Sequence, residues 1–468
     1  MKRTLLKAEL LKATILNVVA LTPLTFVFGV VLWLLAPHAS AHTLLEIYDM
    51  ARSHDPAFKT QELSIMAAKE VLPQSRAALL PTLSVSGNTR KVHTSNEDAF
   101  IGNTLGPAGV LAPVTGQVSN DYNAIGYSAE LNQPLFDPQK WYRYKQGQAL
   151  FNQQEWEQVK AEQDLITRVT TSYFNVLREM NELTSLQAEK RAVKKQSEQL
   201  QRHFEAGLVD MTDVYEVKAA LDRIRVRIIQ ANNRLQARRE ELIGLTGRGD
   251  IEVQPVFDSL IVEEIKPGNE KFWKDLAMQN NAEIKVANIE IAAAKENKNA
   301  ARSEHMPTIS ISASYFADDS GVGGYGKAMS DTSTLSLNLN MKLFQGGAAS
   351  SRSREAALRL DESKLRYLDK IREIEQNTAT LFRTIHADVA SVNMLKLTVN
   401  SHEEALKAVK AGYRMGIRNA VDVLQAQKAM FLAKRTLIDA TYDYVSNIIE
   451  LKRLVGVVDR DSLVFSDG

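Results

Sequence analysis

The side chains able to do chemistry in this 468-residue chain suit binding better than bond making. There is no cysteine, which removes thiol catalysis, Cys-ligated zinc, disulfides and an acylated lipoprotein N-terminus. The eight histidines offer no helical pair at metal-ligand spacing, and no cofactor or metal site can be composed from them. No Ser-His-Asp or paired-carboxylate arrangement can be argued, so no catalytic residue is assigned. Gly321 to Gly326 superficially fits a phosphate-loop pattern, but no nucleotide-binding helix follows it. What remains is a polar group around two glycines. Thr212 and Asp213 follow Gly207, Arg418 and Asp422 follow Gly416, and Tyr413 just precedes Gly416. Charge-assisted bonds among such groups can hold one conformation and still be displaced by a partner. Taken alone, they read first as the solvated charges of a helix surface, worth under about 1 kcal/mol.

Those residues need long helices to carry them. None of the twelve prolines lies between Pro138 and Pro255, and none follows Pro307. Because proline inside a helix costs about 3 kcal/mol, the gaps are where long helices can exist. Residues 139–206 are rich in good helix formers. Ile166, Val169, Tyr173, Val176, Met180 and Leu183 are spaced 3, 4, 3, 4, 3, a coiled-coil seam that Ile371, Ile374, Thr378, Leu381 and Ile385 repeat. At 1.5 Å per residue such a helix extends about 100 Å, which implies a rod or tube. Gly207 and Gly416 then read as turns between helices, where glycine tolerates a positive φ.

The two glycines also mark a tandem duplication. Arg76 to Ser86 recurs as Arg302 to Ser312, and Leu131 to Phe136 as Leu339 to Phe344. Phe204-Glu-Ala-Gly207 with Asp213-Val214 matches Tyr413-Arg-Met-Gly416 with Asp422-Val423, and Leu245-Thr-Gly247 matches Leu454-Val-Gly456. The first copy has an excess between Pro81 and Phe136, where residues 103–123 are rich in Gly, Pro, Asn and Thr and read as an exposed loop. The organisation is therefore 42–246 as repeat 1, 247–270 as a linker, 271–456 as repeat 2 and 457–468 as a tail.

Each repeat holds two runs alternating between apolar and small polar residues, near 82–94, 122–134, 307–318 and 332–343. A half-buried soluble sheet and a transmembrane β-barrel both fit such runs. Four strands cannot close a membrane barrel in one chain, whereas three chains supply twelve. A soluble sheet fused to such long helices would have no evident core.

The first residues set the compartment. Lys2, Arg3, Lys7 and Lys12 precede an apolar run from Ala13 to Ala36 and then Ala39-Ser40-Ala41. This is the make-up of a cleaved signal over 1–41, the other reading being an uncleaved inner-membrane anchor. Cleavage takes the net charge from +1 to −2. Near-neutral charge gives no footprint for nucleic acid. A mean hydropathy of −0.22 excludes a bundle of membrane helices.

The arrangement resembles the TolC family of trimeric outer-membrane export channels. The most specific likeness lies in Phe204 to Val214 and Gly412 to Ala426, with Leu343-Phe-Gln-Gly-Gly347 and His54-Asp55-Pro56 beside them. The resemblance implies a mixed α and β fold. It combines a coiled-coil tunnel in the periplasm with an outer-membrane barrel completed by trimerisation at four strands per chain. The function it implies is a passive exit duct for type I secretion, multidrug efflux or both, in contact with outer-membrane lipid. Its partners would be a periplasmic adaptor and an inner-membrane ABC or proton-driven transporter. Loops around 95–122 and 317–333 would face the exterior, and 247–270 would join a belt at the tunnel's waist. At the tip, Asp213 and Thr212 would pair with Tyr413 and Arg418 as a gate, and Asp422 would form a cation-selective ring. Gln425 replaces a second acid of the family pattern, weakening that ring, and Arg202 stands where a neutral polar residue is usual. The rival readings are a periplasmic coiled-coil adaptor or structural interaction protein, which would carry separate compact β domains, and a secreted enzyme, which would need a site.

Overall fold

Two helices dominate the molecule, and both fill the proline-free gaps. In the computed structural model, which describes residues 41–105, 109–249, 251–257, 260–322 and 326–463, they span 68 and 67 residues. Each therefore runs about 100 Å. In chain order the helices are α1 (Leu44–His54), α2 (Pro56–Lys69), α3 (Val71–Ala77), α4 (Pro138–Glu205) and α5 (Met211–Thr246). They continue as α6 (Glu270–Asn280), α7 (Ala282–Arg302), α8 (Ala348–Arg414) and α9 (Ala420–Leu454). The signal reading falls on residues outside those described.

Both seams point inward. Ile166, Val169, Tyr173 and Val176 of α4 are buried, as are Ile374, Thr378 and Ile385 of α8. The main core gathers where α1 and α2 lean on the long helices. Phe174 meets Tyr173 edge to face at 5.5 Å between ring centres and Tyr442 at a tilt at 5.4 Å. A second, smaller core of Val193, Leu200, Val214, Val217, Leu221 and Ile224 lies toward the tip. The segment between the repeats is packed rather than loose. His42 bridges Val253, the Tyr173 hydroxyl donates to the Gln254 carbonyl at 2.8 Å, and Tyr444 donates to Glu263 at 2.8 Å. His54-Asp55-Pro56 is a helix start: buried Asp55 accepts from the Phe58 amide at 2.9 Å, Pro56 opens α2, and Arg168 pairs with the carboxylate at 2.5 Å.

The strands β1 (Thr82–Leu105), β2 (Leu111–Phe136), β3 (Thr308–Val322) and β4 (Gly326–Asn340) form one antiparallel sheet in the order β1-β2-β3-β4. One face carries Leu83, Val85, Leu131, Ile309, Ile311, Leu335, Leu337 and Leu339, with the three β4 leucines and Val85 more than 70% exposed. The other carries serines and asparagines, such as Ser86 bonded to Ser128 at 2.7 Å and Asn338 to Ser312 at 3.0 Å. The apolar band is about nine residues tall, the length a tilted membrane strand needs. Within the chain, β1 and β4 are edges. No helix among the described residues is long and apolar enough to cross a membrane.

The expected exterior loops differ. Residues 95–105 pair with 111–119, and 317–322 pair with 326–331, so both are ladder rather than loop. Gly, Pro and Asn depress strand propensity, but bulges at Asn96/Ala99 and Phe100/Gly102 absorb the misfit. Strand β4 ends at Asn340, three residues before the expected boundary at 343.

Candidate gate at the helical tip

The two long helices end alike. At the first turn, Leu208 N–H donates to His203 C=O and Gly207 N–H to Phe204 C=O, both at 2.9 Å. At the second, Ile417 N–H donates to Gly412 C=O at 2.9 Å and Gly416 N–H to Tyr413 C=O at 3.1 Å. Gly207 and Gly416 have φ of +72° and +75°, so each closes a Schellman turn that a Cβ would strain. The duplication read from the sequence is here the same backbone made twice.

Beyond the turns the halves part. Asp210 precedes α5 without a side-chain cap bond. Asn419 and Asp422 instead form a reciprocal capping box on α9: Asn419 Oδ1 accepts from the Asp422 amide at 2.8 Å, and Asp422 Oδ2 accepts from the Asn419 amide at 3.3 Å. Asp422 therefore has a local structural task besides any role toward ions, and the Asn-x-x-Asp spacing was its signal. Arg418 Nη1 lies 3.8 Å from the same Asp422 carboxylate. Its aliphatic stem folds over Gly412, where an added Cβ would come within 3.0 Å of Arg418 Cγ.

Tyr413 packs against the smaller core, and its hydroxyl is buried without a hydrogen-bond partner. Burial, and after it the charge of Asp213, push its phenol above the ordinary range. The fold thus brings Tyr413 and Asp213 into each other's field without a bond between them. Among the described residues neither Tyr413 nor Arg418 bonds to Thr212 or Asp213 within the chain. Thr212 is exposed and Asp213 sits in the first turn of α5. The outermost residues of the turns, Leu208 and Ile417, are 71% and 74% exposed.

Further up the coil is a group that sequence reasoning missed. Arg435 of α9 reaches Glu189 and Glu182 of α4, each at 3.1 Å, and Arg227 of α5 reaches Glu182 at 3.3 Å. Gln196 of α4 also donates to the Ala420 carbonyl at 2.7 Å. The seven-residue spacing of Glu182 and Glu189, one seam repeat, was the available signal.

Comparison with known proteins agrees with this architecture. The family described as outer membrane efflux protein matches residues 47–248 and 273–457, one segment per repeat. The alkaline protease secretion protein AprF of Pseudomonas aeruginosa is 27% identical over 443 residues, covering 94% of this chain and 90% of that protein. The outer membrane protein TolC of Escherichia coli is 26% identical over 439 residues, covering 91% of this chain and 84% of its own length. The open-state structure of the Neisseria gonorrhoeae MtrE outer membrane channel superposes with a TM-score of 0.72 at 19% identity, covering 90% of each chain. With a duplicated coil, an amphipathic four-stranded sheet and a family match over both repeats, the chain belongs to the outer membrane efflux protein family, as a channel protein of the outer membrane and not an enzyme.

Proposed function

We propose that three copies of the chain form the passive exit duct of a tripartite type I secretion or efflux system, after removal of residues 1–41. The observation that carries the reading is the open sheet: its apolar face suits lipid, yet β1 and β4 are unpaired edges within the chain. An edge cannot stand in a bilayer, because its backbone groups would find no partner there. Three sheets joined edge to edge make twelve strands, an ordinary barrel size. The helices then extend about 100 Å into the periplasm. Residues 247–270, with the chain ends, form the belt around them.

The tip is the periplasmic gate. In the closed trimer, Thr212 and Asp213 pair with Tyr413 and Arg418 as the contacts that hold the tip shut. Asp422 rings the entrance. The exposed Leu208 and Ile417 suit a periplasmic adaptor, which couples the duct to an inner-membrane ABC or proton-driven transporter. The name of the Pseudomonas relative favours exported protein as cargo.

Fractionation and conductance test this reading. The chain is expected in the outer membrane as a trimer that survives mild detergent, and Y413A and R418A are expected to raise single-channel conductance in planar bilayers. A soluble periplasmic monomer refutes the duct, and unchanged conductance in both variants refutes the gate.

A further inference from the structure

The first hairpin is much taller than the second. Pairing of β2 with β3 ends at Ala124 opposite Ser320, and β3 itself ends at Val322. Strands β1 and β2 go on alone to Leu105 opposite Leu111. Thirteen further residues at about 3.3 Å each make a free two-stranded ribbon of about 40 Å. A lone hairpin of that kind is marginal in water and needs something to pack on.

The polarity of its faces says what. In the wall below, the outward face holds Leu83, Val85, Tyr127 and Leu131, and the inward face Ser84, Ser86, Asn88 and Ser128. Near the Arg90–Ala124 rung this order inverts. Outward residues become Lys91, His93, Ser95, Gln117, Ser119 and Asp121, with His93 bonded to Asp121 at 2.7 Å. Inward residues become Val92, Tyr122, Val118 and Val114, and Ile101 lies over Gly116, within 2.9 Å of a Cβ built there. The inward positions Val114, Gly116, Val118 and Tyr122 are partly covered, while the outward Thr115, Gln117, Ser119 and Asp121 are exposed. The inward register keeps a polar rung, Thr94–Asn120, and Asn96 opposite Val118, while Phe100, Pro113 and the tip rung Leu105–Leu111 are the outward apolar exceptions. An outer face that turns polar marks where lipid ends. An inner face that turns apolar at the same level is unsuited to line a water-filled mouth.

We propose that the β1–β2 ribbons of three chains converge on the threefold axis above the membrane and pack their inward faces on one another, forming an apolar collar at the outer mouth. This rests on the trimeric duct proposed above. The occupant of each face is the same face of the two other copies, because the ribbons continue strands of one barrel wall and so surround one axis. The duct is then narrowed at its outer end as well as at its tip, and cargo leaves by spreading the ribbons.

The absence of cysteine gives a clean test. V114C and V118C on the inward face, and T115C and Q117C on the outward face, are made singly and treated on intact cells with a short bis-maleimide. The expected result is a covalent dimer band on heated gels for the inward pair and none for the outward pair. Unheated gels report the trimer independently in each variant, and the two inward positions back each other should one fail to assemble. Trimers without inward crosslinks overturn the collar alone, and would leave an apolar mouth open to cargo. Absence of any trimer overturns the duct and the collar together.

Discussion

Arg435 of α9 and Glu189 of α4 form an ion pair of 3.1 Å with only 8% and 4% of each residue exposed. Glu182 and Arg227 extend it to three helices. Such a group is costly to desolvate and adds little net stability over an apolar substitute, but one partner left alone is expensive. R435A is therefore expected to cost about 3–5 kcal/mol, while R435M combined with E189L recovers most of it. Urea unfolding followed by circular dichroism at 222 nm checks the difference between the single and double variants.

The tip turns separate conformational cost from crowding. A Cβ at Gly416 would meet nothing within 4 Å, yet φ there is +75°. G416A is expected to lose about 1–2 kcal/mol from backbone strain alone. At Gly412 the added methyl meets only the flexible Arg418 stem inside a helix. G412A should therefore cost less than G416A, since alanine's helix propensity offsets the displaced arginine. The same unfolding measurement ranks the two.

Asp55 tests how α2 is anchored to the coil. Its carboxylate caps the helix through the Phe58 amide and meets Arg168, while only 3% of the residue is exposed. D55A loses both contacts and is expected to cost about 2 kcal/mol or more, the upper range for a cap. D55N keeps an acceptor for the amide and should fall between wild type and D55A in thermal midpoint.

Glu283 makes stability depend on pH. Burial alone would raise its carboxyl, but the Lys370 hydrogen bond at 3.0 Å and the charges of Lys370, Lys160 and Arg453 outweigh that and hold it below the usual range. A depressed folded pKa contributes stability that is present above the unfolded value, about 4.3, and is lost as pH falls through the folded one. E283Q should therefore lower Tm relative to wild type at pH 7 and pH 6. The gap should close as the pH is taken below 4, as read by thermal melts across that range.

Much of the architecture was legible in local chemistry. Proline gaps located α4 and α8 because a single interior proline would have broken either helix. The glycines at 207 and 416 announced their turns because only glycine takes a positive φ freely. Alternation at Ile309–Ser312 and Leu335–Asn338 marked both the strands and their apolar face. Residues 103–123 misled, since a Gly/Pro/Asn-rich composition records weak strand preference and says nothing of a partner strand that overrides it.

By itself, then, the sequence determined the repeat, the long helices, their turns and the amphipathic strands, all of which follow from interactions within a few residues along the chain. Only the tertiary structure decided which groups meet across helices. It set Arg418 beside Asp422 and not Asp213, left the Tyr413 hydroxyl without a partner, sealed Arg435 against Glu189, and let β1 and β2 outrun β3 and β4. Those outcomes depend on helix rotation, register and burial between segments hundreds of residues apart, which no local pattern encodes.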